Sequence, residues 1–208
     1  MSFEIDKKGR WINPTLEGHV FDRKLALALA RFLKKNGQNP IVDLGCGPGW
    51  YVRILREKGL IASGYDGNPY TPGITAQLLA DGTFCEQLDL SKRVRFDKRF
   101  DTVLSLEVGE HIPEKYEQIY LDNVAKNATN YVILSWAIVG QGGSGHVNCR
   151  NNEYVIGQMQ KRGFSFDKKT STYFRERATL SWFKNTIMVF GKNSGGRRMN
   201  GAFHSVIK

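Results

Sequence analysis

Cysteine is scarce in this chain, and the three present, Cys46, Cys85 and Cys149, are poorly spaced for joint work. An odd count with no CxxC pair argues against a disulfide framework and a thiolate zinc site. It fits a reducing compartment. Long apolar runs are missing too: no stretch approaches the ~18 consecutive apolar residues of a membrane helix. Residues 1–10 are polar and lack the apolar core of a secretory leader, so a cytoplasmic location is expected. Internal repeats and low-complexity blocks are absent. Acidic residues are in deficit, with 20 Asp and Glu against 30 Lys and Arg, a net charge of +10 and a pI near 9.6. Such a balance suits a polyanionic partner, although charge speaks about association and not about fold. The cations gather in Lys92, Arg93, Arg95, Lys98 and Arg99, and again in Lys192, Arg197, Arg198 and Lys208.

What the chain does have is an ordinary core-forming composition, 41% hydrophobic and 24% charged, and a length that points to one domain. Residues 20–35 carry apolar side chains at helical spacing and end in Asn36-Gly37, a helix stop. Strand and helix signals then alternate. Strands are expected at 41–44, 60–66, 84–88, 100–106 and 131–137, with two more strand candidates in 164–190, the clearer at 186–190. Helices are expected at 51–58, 72–80, 114–128 and 153–162, with Thr71 as N-cap and Pro72 in the first turn of the second. The alternation predicts an α/β fold: a Rossmann-like three-layer αβα sandwich around a seven-stranded, mostly parallel sheet whose last strand is antiparallel. Residues 1–37 read as an N-terminal segment and helix packed on the core, 38–192 as the main domain, and 193–208 as a flexible basic tail. In such sheets ligands bind at the carboxyl ends of the strands.

The run Val42-Asp43-Leu44-Gly45-Cys46-Gly47-Pro48-Gly49 follows the first strand of the alternation. Glycines before a helix let the backbone approach a ligand closely. Dinucleotide enzymes use a related pattern at the same place. Here the spacing is Gly-x-Gly-x-Gly, and Asp43 lies on the strand itself. A carboxylate beside the turn suits a ligand carrying an ammonium and a sulfonium, and suits a pyrophosphate poorly. The next strand ends in Asp66-Gly67-Asn68, where an acid can accept both hydroxyls of a ribose. Asp89-Leu90 follows the third, where a carboxylate can accept from an adenine amino group.

Asp43-x-Gly-x-Gly-x-Gly, then Asp66, then Asp89, each behind its strand, resembles the class I S-adenosylmethionine-dependent methyltransferases across residues 41–190. The resemblance implies a cofactor site in which Asp43 lies near the methionine amino group and Gly45 and Gly47 under the methionine part and ribose. Asp66 would take the ribose and Asp89 the adenine. Cys46, Gly67, Asn68, Leu90 and Leu106 complete the expected cofactor contacts.

Ser105-Leu106-Glu107-Val108-Gly109-Glu110-His111 follows the fourth strand. Glu107, Glu110 and His111 stand at i, i+3 and i+4, and one helical turn would put all three on one face. Two carboxylates and an imidazole suit a divalent ion, Mg²⁺ or Mn²⁺, or a base with its orienting acid. The run resembles ubiquinone-biosynthesis O-methyltransferases and the enzymes that 2′-O-methylate the 3′ ends of small RNAs. In the second group a further His completes the metal set, and His146 stands in a similar place. Glu107, Glu110, His111 and His146 are thus the candidate metal ligands, and His111, His146 and Glu107 the candidate catalytic residues. The Gly-rich run 135–148 offers Gln141, His146 and Asn148 as polar contacts, and Trp11, Trp136 and Trp182 are candidate surfaces for stacking or for core packing. No Asn-Pro-Pro-Tyr-like run marks an amine acceptor, which favours oxygen. The expected reaction is O-methylation of a sugar, glycan or polar small-molecule hydroxyl. RNA 2′-O-methylation is the alternative, and a nucleic-acid partner is the second choice.

Overall fold

Strand and helix alternate along the chain as the apolar pattern requires. The computed structural model describes residues 4–193, so the expected basic tail, from 194 onward, lies outside the described residues. A two-stranded hairpin, β1 (Glu4–Ile5) and β2 (Trp11–Ile12), comes first. Then follow α1 (Arg23–Lys35), β3 (Ile41–Leu44), α2 (Trp50–Glu57), β4 (Ala62–Asp66), α3 (Thr71–Leu79), β5 (Glu86–Gln87) and β6 (Phe100–Ser105). A 3-10 turn, Gly109–His111, leads into α4 (Glu114–Asn127) and β7 (Ala128–Leu134). The chain continues through α5 (Asn152–Lys161), β8 (Phe164–Phe166), α6 (Lys168–Arg177), α7 (Phe183–Thr186) and β9 (Met188–Lys192).

The seven long-range strands lie in the order β5-β4-β3-β6-β7-β9-β8, with β9 antiparallel to both neighbours and the other pairings parallel. Strand residues alternate between two cores, as a period of two dictates. Ile41, Leu104, Ile133 and Val189 face one side, with α1, α2 and α6. Val42, Val103, Val132 and Met188 face the other, with α4 and α5. Three layers result. On α1, Leu25, Leu29 and Leu33 are completely buried, each contributing about 1.5–3 kcal/mol. The sheet grows outward in both directions from the β3–β6 pair, so the crevice at the carboxyl ends of these two strands is the topological switch point.

Several boundaries differ from expectation for local reasons. α1 begins at Arg23 and not at residue 20, because Asp22 is extended and caps the helix by accepting from Leu25 N at 3.0 Å. Val20 is left exposed, and Phe21 packs on Trp50 and Tyr51. Thr71 is the first helical residue of α3 and not its cap; the Asn68 side chain turns the chain there, accepting from Tyr70 N at 3.1 Å. The strand expected at 84–88 shortens to Glu86–Gln87, the one at 100–106 ends at Ser105, and the one at 131–137 runs Ala128–Leu134. Between the two strand candidates of 164–190 lie two helices, α6 and α7, that the apolar pattern did not indicate. Asp167 starts α6 by accepting from Thr170 N, and only Ser171 and Phe174 of that polar helix are buried.

Asp22 ties the start of α1 to the segment that follows α6. One carboxylate oxygen caps α1, and the other accepts from Thr179 N at 2.5 Å and Leu180 N at 2.9 Å. Burial alone would raise its pKa, but the N–H groups of Leu180, Leu25 and Thr179 outweigh that and hold it below the usual value. A depressed folded-state pKa stabilises above the unfolded value near 3.8 and is lost as pH falls below it. Asp22→Ala is therefore expected to destabilise the fold by about 2–3 kcal/mol. Urea unfolding at neutral pH measures this, and the difference from wild type should shrink when the titration is repeated in acid.

Candidate active site

β3, β4 and β6 end at one level, and a cleft of about 420 Å³ opens over their ends. The glycine turn forms its floor. Gly45 N and Cys46 N both donate to the Tyr65 carbonyl, at 2.7 and 3.1 Å, which bends the chain off β3 toward β4. Gly45 has φ +85°, and a Cβ there would collide with the Val108 side chain. Gly47 has φ +50°, and its Cβ would come 3.2 Å from the His19 ring. Positive φ and close neighbours together demand glycine at both positions.

Asp66 accepts from Gly47 N and Asn68 N, both at 2.8 Å, so the carboxylate that ends β4 also holds the glycine turn. Asp89 sits at the other end of the cleft. It accepts from Ser91 N and pairs with Lys8 Nζ at 2.5 Å. Burial would raise its pKa, but the Lys8 ammonium and Ser91 outweigh it. Asp43 is buried, and burial, with Cys85 and Asp66 nearby, pushes its pKa well up. Gly45, Cys46, Gly47, Gly67, Leu90 and Leu106 line the same cleft. Asn68 does not. Its side chain is buried elsewhere, where Oδ1 accepts from Tyr70 N and Nδ2 donates to the Asn13 carbonyl, so it supports the turn from behind.

The catalytic candidates gather at the end of β6, though not on one helical face. Glu107 precedes the 3-10 turn and has φ +54°, a strained conformation for a residue with a side chain. Its backbone N–H donates to Ser135 Oγ at 2.9 Å, and its carboxylate accepts from Gln141 Nε2 at 3.0 Å and Thr186 Oγ1 at 3.3 Å. Burial raises its pKa against those bonds. One ligand atom each from Glu110, His111 and His146 lies within 4.8 Å of the others, and Glu107 is outside that group. Both Glu110 carboxyl oxygens are buried with no hydrogen-bond partner among the described residues. Burial, then the Glu107 carboxylate, pushes its pKa well up. His111 Nδ1 lies 3.2 Å from the Gly145 carbonyl, and His146 Nδ1 lies 3.1 Å from the Gln141 carbonyl. A carbonyl only accepts, so each Nδ1 carries the hydrogen. Burial, with His146 next, lowers the His111 pKa to about 4.

Two residues offered for acceptor contact serve structure instead. Trp136 is completely buried, edge-on to Tyr120, and donates to the Asn148 carbonyl at 2.6 Å. Asn148 is buried and donates to Glu117, which also takes Arg150 and Tyr154 and so anchors the Gly-rich loop. Trp11 and Trp182 do line the cleft, joined by Trp50, His19 and Lys8, which sequence reading did not single out. The signal for His19 was weak: one ring in a segment without periodicity, tilted against Trp11 and edge-on to Trp50.

The family model for a methyltransferase domain matches residues 16–129, over half of the chain. The chain belongs to that family. Its fold is that of the class I S-adenosylmethionine-dependent enzymes. Tocopherol O-methyltransferase of Arabidopsis thaliana is 31% identical over 103 residues, 46% of this chain and 30% of that relative. The matched part thus spans under a third of the curated relative. Among solved structures, magnesium protoporphyrin IX methyltransferase from Synechocystis with its cofactor bound is 20% identical. It covers 81% of this chain and 78% of its own, with a TM-score of 0.61. A sugar N-methyltransferase from a Streptoalloteichus species is 13% identical and covers 86% and 90%, with a TM-score of 0.68. At those identities the likeness concerns the fold.

The residues present fit S-adenosylmethionine. The glycine turn brings backbone to the cleft surface, and Asp66 and Asp89 line that cleft as carboxylates able to accept from a nucleoside. Asp43 adds a buried acid for a cationic group. In this methyltransferase Asp66→Ala is expected to weaken cofactor binding by about 1.5–3 kcal/mol, and Gly47→Val to abolish it in a folded protein. Titration calorimetry measures both, and wild-type affinity in Asp66→Ala would contradict the ribose assignment.

Proposed function

We propose that the methyltransferase methylates a hydroxyl oxygen of a sugar or other polar small acceptor, with His111 as general base. The observation that carries this reading is the state of His111. Its Nδ1 is tied to the Gly145 carbonyl, its pKa is lowered to about 4 so that the ring is neutral and able to take a proton near neutrality, and the residue lines the cleft. S-adenosylmethionine supplies a methyl on a sulfonium, a group that needs positioning more than activation. The chain's own task is the proton. As the oxygen–methyl bond forms, the hydroxyl proton passes to His111 Nε2, and the sulfonium's bond electrons leave with the thioether. Glu107 and Gln141 line the cleft and offer acceptor and donor atoms for orientation. Trp11 and Trp182 offer faces on which a sugar ring can rest.

A second reading is favoured by the two unpartnered Glu110 oxygens. Glu110, His111 and His146 would hold Mg²⁺ or Mn²⁺, which suit carboxylate and imidazole together. The ion would lower the hydroxyl's pKa in place of a base. Glu107 is not needed in that set. The acceptor hydroxyl of a ribose in RNA is compatible with either reading.

The two readings separate in solution. With His111 as base, kcat/KM is expected to rise as pH increases through about 4 and stay flat to neutrality, because the imidazole is neutral above that value. His111→Ala should lower kcat by about 10²–10³, and chelator should change nothing. Loss of activity in chelator, restored by Mg²⁺ or Mn²⁺, would replace the base with the metal. Full activity of both His111→Ala and His146→Ala would end both.

A further inference from the structure

Residues 92–99 carry five cations and one acid, Asp97. Lys92, Arg93, Arg95, Lys98 and Arg99 are all exposed. Among the described residues none of the five makes an ion pair or a side-chain hydrogen bond. Elsewhere on the surface cations are paired, as in Arg53–Glu57, Arg56–Asp81, Lys126–Asp122 and Arg162–Asp122. Five cations in one short segment repel one another, with Asp97 the one acid among them.

The backbone of this segment is nonetheless fixed. The Asn123 side chain of α4 accepts from Val94 N at 2.9 Å and donates to the carbonyls of Leu90 and Lys92, at 3.1 and 2.7 Å. The Phe96 ring packs between Tyr65 and Phe100. The apolar side chains of the segment turn inward and the cations outward, so the strap holds its charges in a set order. It leaves the cleft rim just after Ser91, where Lys8 meets Asp89, and ends at Arg99 ahead of β6, at the opposite end of the strands. The strap therefore spans the length of a six-residue strand, β6, about 20 Å. At its far end Arg99 stands near Lys192, whose pKa is lowered first by burial and then by that neighbour.

We propose that the strap 92–99 is a docking surface for the phosphate backbone of single-stranded RNA, running from the cleft rim to the far end of the strands. Three of its five cations are arginines, whose planar forks match phosphate oxygens. No exposed large apolar side chain lies within the strap, so it has nothing to insert into a lipid surface. At the rim, Trp11 and Trp50 give a base a face to stack on. The proposal concerns binding and stands independently of the proton role of His111.

The full-length chain is titrated into a fluorescein-labelled oligouridylate and followed by anisotropy. Five phosphate contacts predict that affinity falls about 100-fold between about 50 and about 200 mM salt. In the double variant R93Q/R95Q the same change should cost only about 20-fold, since two contacts are gone, while S-adenosylmethionine affinity by calorimetry stays unchanged. On wild-type protein, the oligouridylate should protect Lys92 and Lys98 from acetylation, a readout that needs no variant to fold. The proposal is overturned by an unaltered salt dependence in R93Q/R95Q, or by equal acetylation with and without RNA. Tighter binding to phosphatidylserine vesicles or to polyglutamate than to oligouridylate overturns it as well.

Discussion

The Tyr65 carbonyl accepts from two successive N–H groups, Gly45 and Cys46, and the cleft depends on that shared acceptor. A strand that continued straight would pair with its neighbours and leave no crevice. By closing onto the end of β4, the turn after β3 brings Gly47 N against Asp66 and aims the following residues into α2. On the other side, Ser105 Oγ donates to the Leu44 carbonyl at 2.6 Å, which closes β6 against β3 just below the cleft. Backbone polarity is thus satisfied inside the protein on both sides of the switch point, while the ligand side stays open.

Above this floor, three carboxyl groups gather at one site: Asp43 and Glu110, which are buried, and Glu107, which is half-buried. Each has its pKa raised mainly by burial. A buried acid with no cation beside it gives up its charge more easily than its place in the fold. Glu107 holds its position at the further expense of a positive φ, roughly 1–3 kcal/mol of strain. Ser135, Gln141 and Thr186 keep it there from three different segments. Strain and unpaired acidity converge on the same few residues, and those residues face the cleft. Such a cluster suits a ligand that brings positive charge, and the sulfonium and ammonium of the cofactor meet that requirement.

Much of this was legible in the sequence because the backbone itself demands it. Gly45 and Gly47 are needed for positive φ, and Asp66 and Asp89 follow strands whose apolar runs can be read directly. The side-chain contacts across the cleft were less legible. Lys8 reaches Asp89 from a segment with no periodicity, and Asn68 stands beside the cofactor motif yet turns away to Asn13. The spacing of Glu107, Glu110 and His111 suggested one helical turn, but the chain leaves β6 with a left-handed residue and only then coils. Periodicity assumes a regular element, and a strained junction is where that assumption fails. Helices α6 and α7 were missed because their few buried residues are set by packing against α1 and the sheet. Polar residues occupy most of α6, and its cap residue Asp167 is a local signal that apolar pattern does not carry.

The N-terminal hairpin shows how far order in this chain is borrowed from the site. Two strands of two residues each cannot stand alone in water. What holds them is the cleft wall. Lys8 pairs with Asp89, the Arg10 side chain lies over Gly67, and the Ile5 side chain packs on Gly145. Gly9 sits against the His111 carbonyl so closely that a Cβ would overlap it. Each of these anchors is a residue of the cleft or a neighbour of one. The glycines at 67 and 145 therefore do two things at once: they leave room for the hairpin, and they keep the cleft walls thin. Hairpin and cleft are then one cooperative unit in the sense of local stability, since loosening either removes contacts from the other. Residues 4–12, which look least structured in sequence, are ordered by the same walls that shape the site.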